Sequence, residues 1–293
     1  MSKKKKIIII SLILLLFIAS LVAGLIWLYT GNFSDTKTRI ITQARLPLGL
    51  VGDQLVSAKD INSRISLAEK IEGNDPTFDK TTVVNRIVDR IIDDKKIEVI
   101  SENNQVSVGS KEIDKELERI IGVTSKGDRS LFEKKLADGY GMSIDGFKSQ
   151  VIKPDLLKVN LAKWYYSQPN LNKETYSKLE ELNSKFSTVE FSELVKQYSQ
   201  DEDSKQFGGD NGFIKISEMI PELQDKFQDK KSDDIITAPS RYGIHVIKIT
   251  EVDAEDPGRI HVSQLFLKGS DLEQWLKQQI EQLKVIKLIS YKK

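Results

Sequence analysis

Phe191-Ser-Glu-Leu-Val-Lys-Gln-Tyr-Ser-Gln-Asp201, then Gly208-Gly-Asp-Asn-Gly-Phe213, then Tyr242-Gly-Ile-His245: these three pieces, in this order, decide the fold. The first lies in a helix predicted over Thr188 to Tyr198. Behind it stands another over Asn172 to Lys185, with Tyr176, Leu179 and Leu182 as its apolar positions. Gly208-Gly209 suits a tight turn, because glycine tolerates backbone angles closed to other residues, and leads into a strand at Phe213-Ile214. A helix over Ser217 to Lys226 follows, then strands over Asp234 to Ala238 and Ile244 to Val252. Val246, Ile247, Ile249 and Val252 give the last its β-branched character. Helices that precede and interleave with antiparallel strands make the class α+β.

Downstream, Asp253 to Gly258 reads as a loop short enough to join antiparallel neighbours. Val262-Ser-Gln-Leu-Phe-Leu-Lys268 follows as a strand, Leu272 to Leu283 as a covering helix, and Val285 to Ser290 as a short strand. Upstream, Leu46 to Val51 and Gln54 to Val56 flank the turn residues Gly52-Asp53, the pattern of a hairpin. Val84, Ile87, Val88, Ile91 and Ile92 form a helical stripe over Thr81 to Ile92. A second helix opens at Gly109-Ser110, with Ile113, Leu117, Ile120 and Ile121 on one face. Ser130 and Glu133 have the spacing of a capping box. A last helix is predicted over Ser143 to Tyr166, kinked at Pro154.

The 293 residues carry 44 basic and 43 acidic side chains, a formal charge of +1. Lys3 to Lys6 supply a local excess and leave the remainder slightly acidic, so nothing supports a nucleic-acid-binding surface. Cysteine is absent, which excludes disulfides, thiolate catalysis and Cys-based metal sites. With only His245 and His261, a His-rich metal site is also unsupported, and no cofactor is implied. Asp201-Glu-Asp203 with Asp210-Asn-Gly212 fails as a calcium loop, because Lys205 and Gln206 stand where an oxygen ligand and glycine are needed. Ile7 to Tyr29 carries no charge and is long enough for about 20 residues of bilayer core. It reads as an uncleaved transmembrane anchor, with a cleaved signal peptide as the competing reading. The lysines before it would stay inside, placing the C-terminal bulk outside the cytoplasm on a single-pass cell-membrane protein.

The three opening pieces together resemble the core of the parvulin family of peptidyl-prolyl isomerases, over roughly Asn172 to Thr250. Parvulins begin with a central strand carrying a histidine. The corresponding place here, Lys158 to Tyr166, has Leu157, Leu161, Trp164 and Tyr165 at helical spacing. Val262 to Lys268 is similar to that strand motif, with Gln264 in place of the histidine. This implies a circularly permuted domain whose central strand lies at 259–268. The hairpin and helices upstream resemble the chaperone region of SurA-like folding factors; a generic helical spacer fits the same pattern. The layout expected is a tail at 1–6, the anchor at 7–29, a linker at 30–45, the helical chaperone-like domain at 46–168 and the parvulin-like domain at 169–293.

The resemblance implies site residues. His245 matches the family's C-terminal histidine, Asp201 stands near its Cys/Asp position, and Gln264 replaces its first-strand histidine. Met219 and Leu223 match two walls of a proline slot; four apart on one helix face, they form one surface, although both also fit plain core. Ser240 and Tyr242 match further wall positions, and Phe213 joins the substrate-binding set. His245 fits a catalytic role and a role holding strand register equally. The function implied is a peptidyl-prolyl cis–trans isomerase and chaperone for unfolded or proline-containing polypeptides. A catalytically inert peptide-binding module is the alternative, favoured by Gln264 and Leu223.

Overall fold

A computed structural model describes residues 3–59, 61–75, 77–227 and 229–292, with residues 3–12 described by their backbone alone. The chain divides into two compact units. The first comprises Met1–Asn103, Gly109–Pro154 and Ile280–Lys293; the second comprises Asn104–Val108 and Asp155–Gln279. The expected boundary at 168/169 is therefore displaced. Residues 280–293, expected in the second domain, return to the first, because they complete its sheet and its core.

In the first unit, helices α1 (Lys3–Tyr29) and α2 (Asp35–Gln43) precede the hairpin β1 (Pro47–Val51) and β2 (Gln54–Ser57). Helices α3 (Ile61–Glu72), α4 (Lys80–Asn103), α5 (Ser110–Ser125), α6 (Arg129–Tyr140) and α7 (Ile144–Phe147) follow. Asp128, not Ser130, caps α6: its carboxylate accepts from Leu131 N at 2.9 Å. No kink point at Pro154 is needed. A π-helical turn, Lys148–Ile152, runs directly into α8 (Lys153–Tyr166), which absorbs the hydrogen bond that proline cannot donate.

The expectation of a membrane-spanning anchor is corrected. Among the described residues, no helix is long and apolar enough to cross a membrane. The C-terminal end of α1 contributes to the first unit's core instead. Leu28 is buried in that core and Tyr29 packs against it, and the Tyr29 hydroxyl donates to Pro47 O at 2.8 Å. Lys37 Nζ lies 5.0 Å from the Trp27 ring centroid and donates to Thr30 O. The membrane anchoring, the single-pass placement and the membrane partner fall with that helix. The side chains of Lys3 to Lys6, and of Ile7 to Leu12 in the expected span, lie outside the described residues.

The second unit continues through α8, α9 (Lys173–Lys185), α10 (Phe191–Tyr198) and α11 (Glu202–Lys205) to β3 (Asp210–Lys215). After α12 (Pro221–Gln224) come β4 (Ile235–Ser240), β5 (Gly243–Val252) and β6 (Arg259–Leu267). The chain then enters α13 (Leu272–Gln282), beyond which β7 (Val285–Lys287) pairs with β1 in the first unit's sheet, of order β2-β1-β7.

The second unit's sheet is antiparallel with order β3-β6-β5-β4, so β6 lies inside it. Both faces carry apolar packing, so β5 and β6 bury aliphatic residues on each side. On one face Ile244, Val246, Leu265 and Leu267 pack with Leu179, Leu182, Phe191, Leu194 and Val195 of α9 and α10. On the other, Ala238, Ile247, Ile249, Ile260 and Val262 pack with Leu223 and Phe227.

Candidate active site

Strands β5 and β6 place the site. His245 pairs across the sheet with Phe266, and Ile247 with Gln264. Successive residues of a strand alternate faces, so His245, Gln264 and Phe266 share one face beyond the apolar cluster. Ser199 and Gln200, after α10, are stitched to the same end of β6. Gln200 N donates to Phe266 O at 2.8 Å, Phe266 N donates to Ser199 Oγ at 3.2 Å, and Lys268 N donates to Gln200 Oε1 at 2.8 Å. That stitching delivers Asp201 to Gln264. On the other flank Gly209 O accepts from Gln264 N at 2.8 Å. A Cβ on Gly209 would stand 2.4 Å from Gln264 O, and its φ is +83°. The second glycine of the motif is therefore required by this close approach as well as by its turn.

Four side chains make one hydrogen-bonded line. Gln264 Nε2 faces Asp201 Oδ2 at 3.5 Å, the outer limit of a hydrogen bond. Gln264 Oε1, an acceptor only, lies 3.0 Å from His245 Nδ1, so Nδ1 carries the proton. His245 Nε2 then accepts from the Ser240 hydroxyl at 2.8 Å, and Ser240 Oγ accepts from Tyr242 N at 3.0 Å. Each donor meets an acceptor with the imidazole neutral. Burial pushes the His245 pKa below its ordinary value, against smaller opposing effects of the Gln264 hydrogen bond and the Glu222 and Asp201 charges. Asp201 also caps α11, accepting from Ser204 Oγ at 2.6 Å and Asp203 N at 3.3 Å. The Phe266 ring lies 4.9 Å from the imidazole.

An open cavity of about 310 Å³ lies over this line, bounded by Gln200, Asp201, Glu202, Asp203, Tyr242, His245, Gln264 and Phe266. Tyr242 presents its ring to solvent, 57 % exposed. Of the residues expected in the site, the fold brings together Asp201, Gln264, His245, Ser240 and Tyr242. Met219, Leu223 and Phe213 do not line this cavity. Leu223 is buried with Phe227 and Ile247 in the core, and Met219 is partly buried against the same cluster. The single helix expected over Ser217 to Lys226 is two pieces: a 3₁₀ turn at Ile216–Glu218, then α12, with Met219 extended at ψ 159° between them. Pro221 forces the break by disfavouring helical geometry at Ile220, so Met219 and Leu223 do not share a helix face. Phe213 packs edge-on against His261 at 5.0 Å, under the Arg259 guanidinium. Phe266 is a site residue that the motifs do not name, although it stands two residues after Gln264 and so on its face. Gln200, Glu202 and Asp203 flank Asp201 along the chain and enter the lining with it. Among the described residues, no group of three or more His, Asp or Glu is arranged to hold a metal ion.

A family described as Rotamase, PPIC-type PPIASE domain, matches residues 159–251. The match begins within α8 and stops before β6. The chain is 38 % identical to foldase protein PrsA 1 of Bacillus cereus over 68 residues, 23 % of this chain and 24 % of that protein. It is 29 % identical to foldase protein PrsA 2 of the same organism over 208 residues, 62 % of this chain and 69 % of that protein. The alignment thus spans about a quarter of the first relative's length. Among solved structures, the foldase protein PrsA from Streptococcus pneumoniae is similar at 16 % identity and a TM-score of 0.25, over 73 % of this chain and 78 % of that one.

Proposed function

We propose, from the match of residues 159–251 to the PPIC-type PPIase domain family, that the chain is a parvulin-type peptidyl-prolyl cis–trans isomerase and foldase acting on proline-containing polypeptides. Rotation about an X–Pro bond meets a barrier of about 18–20 kcal/mol set by amide resonance. Lowering it requires no nucleophile, only a site that binds the twisted amide better than either planar form. The observation that carries the reading is the hydrogen-bonded line from Asp201 through Gln264 and the neutral His245 imidazole to Ser240, lying under an open cavity. Such a line offers fixed dipoles that need not reorganise as the amide's charge distribution changes. Tyr242 and Phe266 offer apolar surface to a proline ring and its neighbour. His245, Asp201 and Gln264 are read as the catalytic set, with Tyr242 binding substrate; Ser240, expected to do the same, is buried behind the imidazole and is read as holding it. The strand β6, beyond the matched residues, is read as part of the same domain. The helical first unit is read as the chaperone region that holds unfolded chains.

A second reading, a catalytically inert peptide-binding module, is favoured by Gln264 in the place of the family's histidine and by Leu223 buried away from the cavity. A proline-isomerisation assay on the full chain, with peptides varying the residue before proline, separates the two. Exchange above background that falls at least ten-fold in His245→Ala supports the isomerase. Background exchange with retained suppression of client aggregation selects the inert module.

A further inference from the structure

The turn joining β4 to β5 contains only Arg241 and Tyr242, with Ser240 paired to Gly243 at its base. It is held from inside by the Ser240 Oγ contact to Tyr242 N. It is also held from another element. Glu222, on α12, accepts from Arg241 Nε at 2.8 Å and from Arg241 N at 3.4 Å through Oε1, and from Arg241 Nη2 at 3.3 Å through Oε2. The Glu222 side chain is only 6 % exposed. Removing a carboxylate from water is costly unless a partner compensates, and breaking a buried pair is strongly unfavourable. Neither member lines the cavity, so neither touches a substrate held there. What the pair controls is place: Arg241 sits between Ser240, bonded to His245, and Tyr242, at the cavity wall. The same short helix holds the segment before it, because Gln224 Nε2 donates to Met219 O at 2.9 Å.

The geometry points to Glu222 and Arg241 as positioning residues, whose ion pair fixes the β4–β5 turn so that Ser240 stays on the His245 imidazole and Tyr242 stays at the cavity. This rests on the isomerase reading of the site. A merely stabilising pair would leave rate and imidazole state untouched once the protein is folded. The test uses the full chain as Glu222→Gln, Arg241→Gln and the exchanged double variant Glu222→Arg with Arg241→Glu. It measures kcat/KM on a proline peptide below each melting transition and the imidazole ¹⁵N signals of the two histidines. Small displacements of a catalytic constellation cost up to about a hundred-fold in rate. Each single variant is expected to lose about ten-fold or more, with His245 moving from Nδ1-protonated toward a mixture of tautomers. The exchanged pair is expected to recover both within about three-fold. Single variants with rates within two-fold of the parent and unmoved His245 signals would overturn the proposal. So would an exchanged pair that regains melting temperature without regaining rate. If the single variants do not fold, Glu222→Asp keeps the charge and shortens its reach, and wild-type rate and signals in that variant count against positioning. A parent chain that does not isomerise sinks the isomerase reading alone; the imidazole signals still decide whether the pair positions Ser240.

Discussion

Both sheets are finished by a strand from late in the chain, and the two strands differ in what they carry. β7 is three residues long, buries none of them, and lies at the edge of β2-β1-β7. β6 is nine residues long, lies inside β3-β6-β5-β4, and buries Ile260, Val262, Leu265 and Leu267 between two helical layers. The edge strand closes a sheet that already has a hairpin; the interior strand is what makes the other sheet one body. The interior strand also brings Gln264 and Phe266 to the cavity, beside His245 of β5, so the fold and part of the site of the second unit depend on the same nine residues.

Ending the chain after Gly258 breaks this comparison hardest. Four fully buried aliphatic side chains at about 1.5–3 kcal/mol each match the roughly 5–15 kcal/mol that holds a typical domain together. The second unit is expected to lose its cooperative unfolding transition and its amide dispersion by NMR. A truncated chain that keeps both would detach β6 and Gln264 from the domain. Ending the chain after Leu283 removes β7 together with buried Ile289 and Tyr291. Melting of the first unit should fall by several kcal/mol in stability, with isomerisation retained. Equal damage from the two truncations would erase the distinction between edge and interior. Within the strands, Leu265→Ala is expected to cost about 2–5 kcal/mol and Ile286→Ala about 0.5 or less, compared by denaturant midpoints.

The smallest effect is in pH. Both histidines fall within the second unit. Burial lowers the folded pKa of His245 below the ordinary imidazole value of about 6.5, while Asp201 and Glu222 face it, the latter paired to Arg241. Between the two values the unfolded chain binds more protons than the folded one, so stability rises with pH there. The contribution is complete above about 6.5 and is lost as pH falls from there through the folded value, with a slope of at most about 1.4 kcal/mol per pH unit. The second unit's melting should drop over this window and His245→Gln should flatten the drop. A second unit indifferent to pH from about 7 to about 5 would mean that His245 is not held neutral by burial.

Much of the second unit is legible in the sequence. Phe191, Leu194 and Val195 have helical spacing and form the inner side of α10, and the β-branched run from Val246 to Val252 is β5. His245, Asp201 and Gln264 are identifiable because each belongs to a recognisable local motif. The misses have physical causes. A helix drawn across Met219 and Leu223 neglects the backbone restriction that Pro221 imposes on Ile220, a signal present in the sequence. The Ser130 cap loses to Asp128, whose charged carboxylate reaches the helix N-terminus two residues earlier. The pairing of β7 with β1 has no local signature, since three exposed residues show no alternation worth reading. The Glu222–Arg241 pair joins residues of two elements, and spacing along one chain does not reveal such contacts.

The place of β6 also sets the order in which the molecule can fold during synthesis. A ribosome delivers β3, β4 and β5 before β6, at about 5–20 residues per second. Until β6 arrives, β3 has no neighbour and β5 presents an open edge with apolar residues on both faces. The second unit therefore closes only after synthesis has passed residue 267. For that interval this protein, read as a foldase, is itself an unfolded polypeptide of the kind it would bind.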